Sequence, residues 1–264
     1  MKTYYYAHTG HRIGLDRFRR AVAVLNCLES DITLLCSDFR IAQEARDFGI
    51  DKAVGIDVVR NIANIAQKGD QLILDSAEVN PIMLEDMKQY FSKLYVMKED
   101  EIVVADKYFQ EQEKKVKVSY FFGDDDYEKD LMGHLEFIEE LKPHLQLGYY
   151  YFLDYEDQLQ ETFENCFEFE AYDEMIMQSE ILITASPQAV LESLAAGGKP
   201  VYIQRDDYPN DFVKRFEALN IPIVINYDKN RLNEIIHHIN EINYGKITFN
   251  CHKFASFIKE NLIL

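Results

Sequence analysis

From position 8 to position 20 the chain reads His8, Thr9, Gly10, His11, Arg12, Ile13, Gly14, Leu15, Asp16, Arg17, Phe18, Arg19, Arg20. An imidazole titrates near neutral pH, so His8 or His11 could act as a general base. Gly10 and Gly14 would let backbone amides approach an anion, and Arg17 could stabilise charge developing on a phosphate. The plain alternatives are a loop that only turns the chain and arginines on the solvated face of a helix.

Two further stretches carry chemistry. Gly123, Asp124, Asp125 and Asp126 follow the apolar pair Phe121 and Phe122. Three carboxylates at a helix start satisfy its free amides but repel a phosphate there, so this turn reads as a capped helix or at most a cation site. Mg²⁺ would need a second source of carboxylates, none is evident, and no metal is expected. Between Ile181 and Ile203 an apolar run delivers Ser186, Pro187 and Gln188, then a helix in which Glu192 is surrounded by Ala189, Ala195 and Ala196. Ser186 suits an N-cap with Pro187 in the first helical position. Glu192 could hydrogen-bond ribose hydroxyls or simply lie at the surface.

Positioning these residues requires strands that end just before them. Short β-rich runs alternate with helical patterns along the whole chain, the rhythm of parallel α/β sheets. In the first half, strands are expected at Thr3 to Ala7, Ile32 to Ser37, Ala53 to Gly55, Gln71 to Asp75 and Leu94 to Met97. The intervening helices are Leu15 to Leu28, Ile41 to Phe48, Val58 to Ala66 (started by Asp57) and Ile82 to Ser92 (started by Asn80 and Pro81). In the second half, strands are expected at Val116 to Phe122, Tyr149 to Leu153, near Phe167, Ile181 to Thr184, Pro200 to Gln204 and Ile223 to Asn226. The longest intervening helix is Tyr127 to Leu141. The expected fold is α/β, two Rossmann-like domains facing each other across a cleft: residues 1–97, a charged linker at 98–115, and residues 116–264. An amphipathic helix, Cys251 to Leu262, packs on the second domain.

Composition narrows the class. The 264 residues carry 46 acidic against 28 basic side chains, a net charge of −18, so no nucleic-acid partner is expected. No apolar run is long enough to span a bilayer and no signal-like segment opens the chain, so a cytoplasmic location is expected. Cys27, Cys36, Cys166 and Cys251 show no CxxC spacing, which argues against a zinc knuckle or redox pair and suits buried thiols in a reducing compartment. No G-x-G-x-x-G follows any expected strand, which speaks against an NAD-linked oxidoreductase.

The Ile181 to Ile203 stretch resembles the strand, serine turn, "LEALAxGxPV" helix and strand of GT-B glycosyltransferases and nucleotide-sugar hydrolases. Among them it is most similar to the lipid II N-acetylglucosaminyltransferases and the UDP-sugar hydrolases of pseudaminic acid synthesis. The resemblance implies that Ser186, Gln188 and Glu192 hold the nucleotide, with Glu192 on the ribose, and that Gly10, Gly14 and Gly123 line the donor and acceptor sites. Three departures stand out. Gly197 and Gly198 add one residue between Glu192 and Pro200. The first loop matches either "TGGH", at Thr9 to His11, or "IGFGHIKR", with Arg17 in place of its histidine. Gly123 to Asp126 replaces a "GGS" or "GGT" turn that contacts the donor pyrophosphate. The implied activity is metal-independent transfer or hydrolysis of a glycosyl group, with a nucleotide sugar as substrate, an unidentified acceptor and no cofactor. His11 or His8 would be the base and Arg17 the electrostatic partner. The alternative is an inactive scaffold with a protein partner.

Overall fold

The computed structural model describes residues 1–28, 30–105, 109–150, 156–247 and 249–262. It divides into two compact units, Met1–Ala105 with Phe249–Leu264, and Asp106–Thr248.

The first unit holds a sheet of five parallel strands: β1 (Thr3–Ala7), β2 (Ile32–Cys36), β3 (Ala53–Gly55), β4 (Gln71–Asp75) and β5 (Lys93–Val96), in the order β3-β2-β1-β4-β5. β1 is central and buried on both faces, which is why three consecutive tyrosines can serve as a strand with no polar alternation. Helices α1 (Asp16–Leu28), α2 (Phe39–Glu44) and α3 (Pro81–Tyr90) connect the strands. Asn80 caps α3, accepting from Ile82 N and Met83 N ahead of Pro81, as expected. The core on one face gathers Tyr4, Tyr6, Leu35, Leu72, Leu74 and Phe91.

The second unit has six parallel strands: β6 (Val116–Phe121), β7 (His144–Gln146), β8 (Asn165–Phe167), β9 (Ser179–Thr184), β10 (Lys199–Gln204) and β11 (Ile223–Ile225), ordered β11-β10-β9-β6-β7-β8. Its helices are α4 (Leu135–Ile138), α5 (Glu156–Thr162), α6 (Tyr172–Gln178), α7 (Pro187–Ala195), α8 (Val213–Ala218) and α9 (Lys229–His237). Each sheet grows outward in opposite directions from a pair of strands, β1 and β4 in one and β6 and β9 in the other. The carboxyl ends of such pairs are where open α/β sheets bind ligands.

Several expectations are corrected. The helix expected over Tyr127 to Leu141 is a series of 3₁₀ turns with one short α-helix, α4. Asp126 Oδ1 takes the amide of Leu131 at 3.0 Å and Lys129 has φ 64°, so the α-helical ladder cannot form there. The segment Val58 to Ala66 is also 3₁₀, over Val59–Asn64, and Asp57 lies in the left-handed region rather than capping it. The strand expected at Tyr149 to Leu153 is β7, five residues earlier. Tyr149 N and Tyr150 N donate to Asp124 Oδ1 and Asp124 O, which turns the chain, and residues 151–155 lie outside the described residues.

The terminal helix α10 (Cys251–Asn261) belongs to the first unit, not the second. Its apolar side, Ala255, Ile258 and Leu262, is buried as it packs on α1 and β5. The expected linker is also partly core, since Val103, Val104 and Ala105 are buried within the first unit. Nor are all four cysteines thiols: Cys27 in α1 and Cys251 in α10 form a disulfide, while Cys36 and Cys166 are not disulfide-bonded. Among the described residues, no helix is long and apolar enough to cross a membrane.

Candidate functional site

His8 follows β1 directly, and its amide donates to Asp75 O of the neighbouring strand β4 at 2.9 Å. The imidazole is largely buried, with Nε2 3.8 Å from Glu78 Oε2. Glu78 is itself fixed: its Oε2 accepts Tyr6 Oη at 2.5 Å and Val59 N at 3.3 Å. Burial holds the His8 pKa below its ordinary value, against the opposing pull of Glu78. Nδ1 of His8 and the hydroxyl of Thr9 are both buried without a hydrogen-bond partner. Buried polar atoms are seldom left so, and here two neighbours share the condition at the carboxyl end of the central strand.

The remainder of the loop has a different character. His11 and Arg12 are exposed. Ile13 N and Gly14 N both donate to Gly10 O, at 2.9 and 2.8 Å, closing a tight turn before α1. Gly14 has φ 74°, which demands glycine, whereas a Cβ on Gly10 would meet only Ile13 Cγ1 at 4.0 Å. The structure therefore separates the two histidines.

The arginines of α1 are not on a solvated face. Arg20 is buried against Asp75, with Nε donating to Oδ2 at 2.8 Å and a second guanidinium nitrogen bonded to Oδ1. Asp75 Oδ2 also accepts Tyr5 Oη at 2.8 Å, and Arg20 Nη1 reaches the carbonyls of Lys98 and Glu99 at 3.0 Å. Arg17 lies beside this network: its Nη2 donates to Glu99 Oε2 at 2.7 Å, and its Nε is 3.5 Å from Asp75 Oδ1 without a hydrogen bond. Strands β1 and β4 and helix α1 are thus fastened around one carboxylate, and the arginines tie in the 98–99 segment.

In the second unit the Gly123–Asp126 turn is occupied by the protein's own cation. Arg205, just after β10, binds Asp125 through Nη1 at 3.0 Å and Asp207 through Nε and Nη2 at 2.9 and 2.6 Å. Its guanidinium carbon lies 4.4 Å from the ring centres of both Phe122 and Tyr208. Burial raises the Asp125 pKa to about 6, an effect that Arg205 opposes. Gly123 has φ 142°, and a Cβ there would lie 2.6 Å from Asp125 Oδ1. The cation suggested by three carboxylates is a guanidinium from 80 residues away, and the turn runs into 3₁₀ turns rather than directly into an α-helix.

Ser186 caps α7, accepting Ala189 N at 3.1 Å. Glu192 is neither at the surface nor open to a diol: it is buried, with Oε2 accepting Tyr172 Oη at 2.6 Å and Oε1 accepting Gln188 Nε2 at 3.0 Å. Gln188 is spent on Glu192, one helical turn away. The structure thus gathers Ser186, Gln188 and Glu192 at the cap and on the body of α7, and places Gly123 in the turn after β6, the strand beside β9. It leaves His8, Gly10, His11, Gly14 and Arg17 in the first unit. Sequence reading missed Glu78, Asp75, Arg205 and Tyr172. Only Asp75 carried a signal, as an acid closing the apolar run Leu72 to Leu74.

Two Rossmann-type sheets, each with polar chemistry at the carboxyl ends of its switch-point strands, define a protein of GT-B fold. Solved structures agree. UDP-GlcNAc 2-epimerase of Methanocaldococcus jannaschii, in complex with UDP-GlcNAc and UDP, aligns over 98% of this chain and 99% of its own, with TM-score 0.61 and 10% identity. A putative UDP-N-acetylglucosamine 2-epimerase from Listeria monocytogenes has TM-score 0.55 at 11% identity, covering 98% and 95% of the two chains. The spinosyn rhamnosyltransferase SpnG has TM-score 0.55 at 9% identity, covering 100% and 96%. No family profile and no curated protein matches the sequence.

Proposed function

We propose that this protein binds a nucleotide sugar and moves its glycosyl group to an acceptor hydroxyl or to water, with His8 as general base and without a metal. The observation that carries the reading is the His8 imidazole, buried at the carboxyl end of β1 with Nδ1 unpartnered and Nε2 turned toward Glu78. A lowered pKa keeps the ring neutral at pH 7, so its free nitrogen can accept a proton from the attacking hydroxyl. Glu78, held by Tyr6 and Val59, then faces the imidazolium that forms and offsets its charge. Arg17 is the nearby cation for a departing diphosphate. The substrate class follows the fold neighbours, one of which was solved with UDP-GlcNAc and UDP. The Cys27–Cys251 bond does not fit the reducing compartment expected for unpaired cysteines.

A second reading, a scaffold that has lost its donor site, is favoured by two specific observations. Asp125 and Arg205 fill the turn that the resemblance assigns to the pyrophosphate, and Tyr172 and Gln188 fill the carboxylate assigned to the ribose. Calorimetry with UDP, GDP, ADP and CMP sugars separates the two. Binding at millimolar ligand or tighter supports the enzyme; no binding to any of them overturns it and leaves the scaffold. Where a substrate is found, His8→Gln should reduce turnover by about 100-fold or more with little change in melting temperature. Unchanged turnover would remove His8 from the reaction.

A further inference from the structure

We infer that Cys27 and Cys251 form a thiol–disulfide exchange site, opened by dithiols, that fastens α10 to its unit. Cys27 lies in the last turn of α1 and Cys251 is the first residue of α10, with Cα atoms 5.3 Å apart and 224 residues between them in sequence. Both residues are half-buried rather than sealed in the core. Cys36 offers the contrast, fully buried with its thiol pushed up to about 12 by burial.

The two sulfurs differ in their surroundings. Cys251 sits where the free amides of an eleven-residue helix stabilise a thiolate, and Cys27 sits near the carbonyl end of α1, which disfavours one. Cys251 is therefore the better leaving group, and attack falls on Cys27 Sγ. One thiolate of the dithiol bonds to Cys27 Sγ, and the electron pair of the S–S bond departs on Cys251 Sγ, which takes up a proton. The second thiolate of the reductant then attacks its own sulfur in the mixed disulfide and expels the Cys27 thiolate, which is protonated in turn. The reductant ends as a disulfide, oxidised by two electrons, and the protein gains two thiols.

Without the bond, α10 retains little. Only Ala255, Ile258 and Leu262 are buried, while Phe257 is half exposed with its ring 5.8 Å edge-on from Tyr95. Eleven residues are also fewer than an isolated helix needs to persist in water. The covalent link is what holds this helix against fraying, independently of any substrate the protein binds.

Hydrogen exchange on the full chain, with and without dithiothreitol, tests the inference. Reduction should speed exchange of the 254–261 amides by about thirtyfold or more, the low end of what a disulfide contributes, while β1 and β4 amides stay protected. The double variant Cys27→Ser, Cys251→Ser should show the fast exchange without reductant; if it does not fold, the wild-type comparison decides. Unchanged α10 exchange after reduction, confirmed by alkylation of both cysteines, would overturn the inference. So would finding both already alkylated in unreduced, air-exposed protein.

Discussion

The Asp125–Arg205 pair sets burial against charge pairing, and the outcome can be measured. Burial raises the Asp125 pKa from an ordinary 3.8 to about 6. That difference corresponds to about 3 kcal/mol at about 1.4 kcal/mol per pH unit. Because the folded value is the higher one, the contribution is fully present below about pH 4 and is lost as pH rises through about 6. Asp125→Asn cannot titrate, so the stability of the wild type minus that of the variant should be greatest near pH 4. By pH 7 it should have fallen by about 3 kcal/mol. The chain has no tryptophan, so urea unfolding followed by circular dichroism at pH 4, 5, 6 and 7 is the suitable assay. A difference that stays flat would refute the burial argument. A difference that grows with pH would show that Arg205, at 3.0 Å, outweighs desolvation.

Other expectations follow from the same kind of accounting. Arg20→Met strands the buried Asp75 carboxylate and should cost about 3–5 kcal/mol in urea unfolding; a loss under about 1 kcal/mol would show that Tyr5 and Arg17 suffice. Ser186→Ala removes the α7 cap and should cost about 1 kcal/mol, with Ser186→Thr nearly neutral in the same assay. If His8 is the base, kcat/KM plotted against pH should have its acid limb below 6.5, since burial lowers that pKa; a limb above 6.5 would place the base elsewhere.

Much of the fold was legible because parallel strands buried on both faces leave continuous apolar runs. Tyr4 to Tyr6, Leu72 to Leu74 and Ile181 to Ile183 could hardly be anything else. The failures have two causes: local side-chain bonds and backbone turns that override a helical pattern, and long-range partners that the pattern does not encode. Tyr127 to Leu141 has helical periodicity, but Asp126 and Lys129 redirect its backbone. The Cys251 helix has an apolar face equally suited to either sheet, and only its contacts with α1 and β5 assign it. At the candidate site, Ser186 was readable as a cap because capping is local. Glu192 was not, because its partner Tyr172 lies 20 residues upstream, and the cation for Asp125 lies 80 residues downstream.

The return of the last helix to the first sheet has a consequence for biosynthesis. A ribosome must deliver residues 106–248 before α10 emerges, about 7 to 30 s at ordinary elongation rates. Throughout that interval the newborn first sheet stands without its final cover along α1 and β5, and Cys27 waits unpaired. The second sheet, whose strands and helices are all contiguous, can finish first. The first unit, although begun before the second, is thus completed after it.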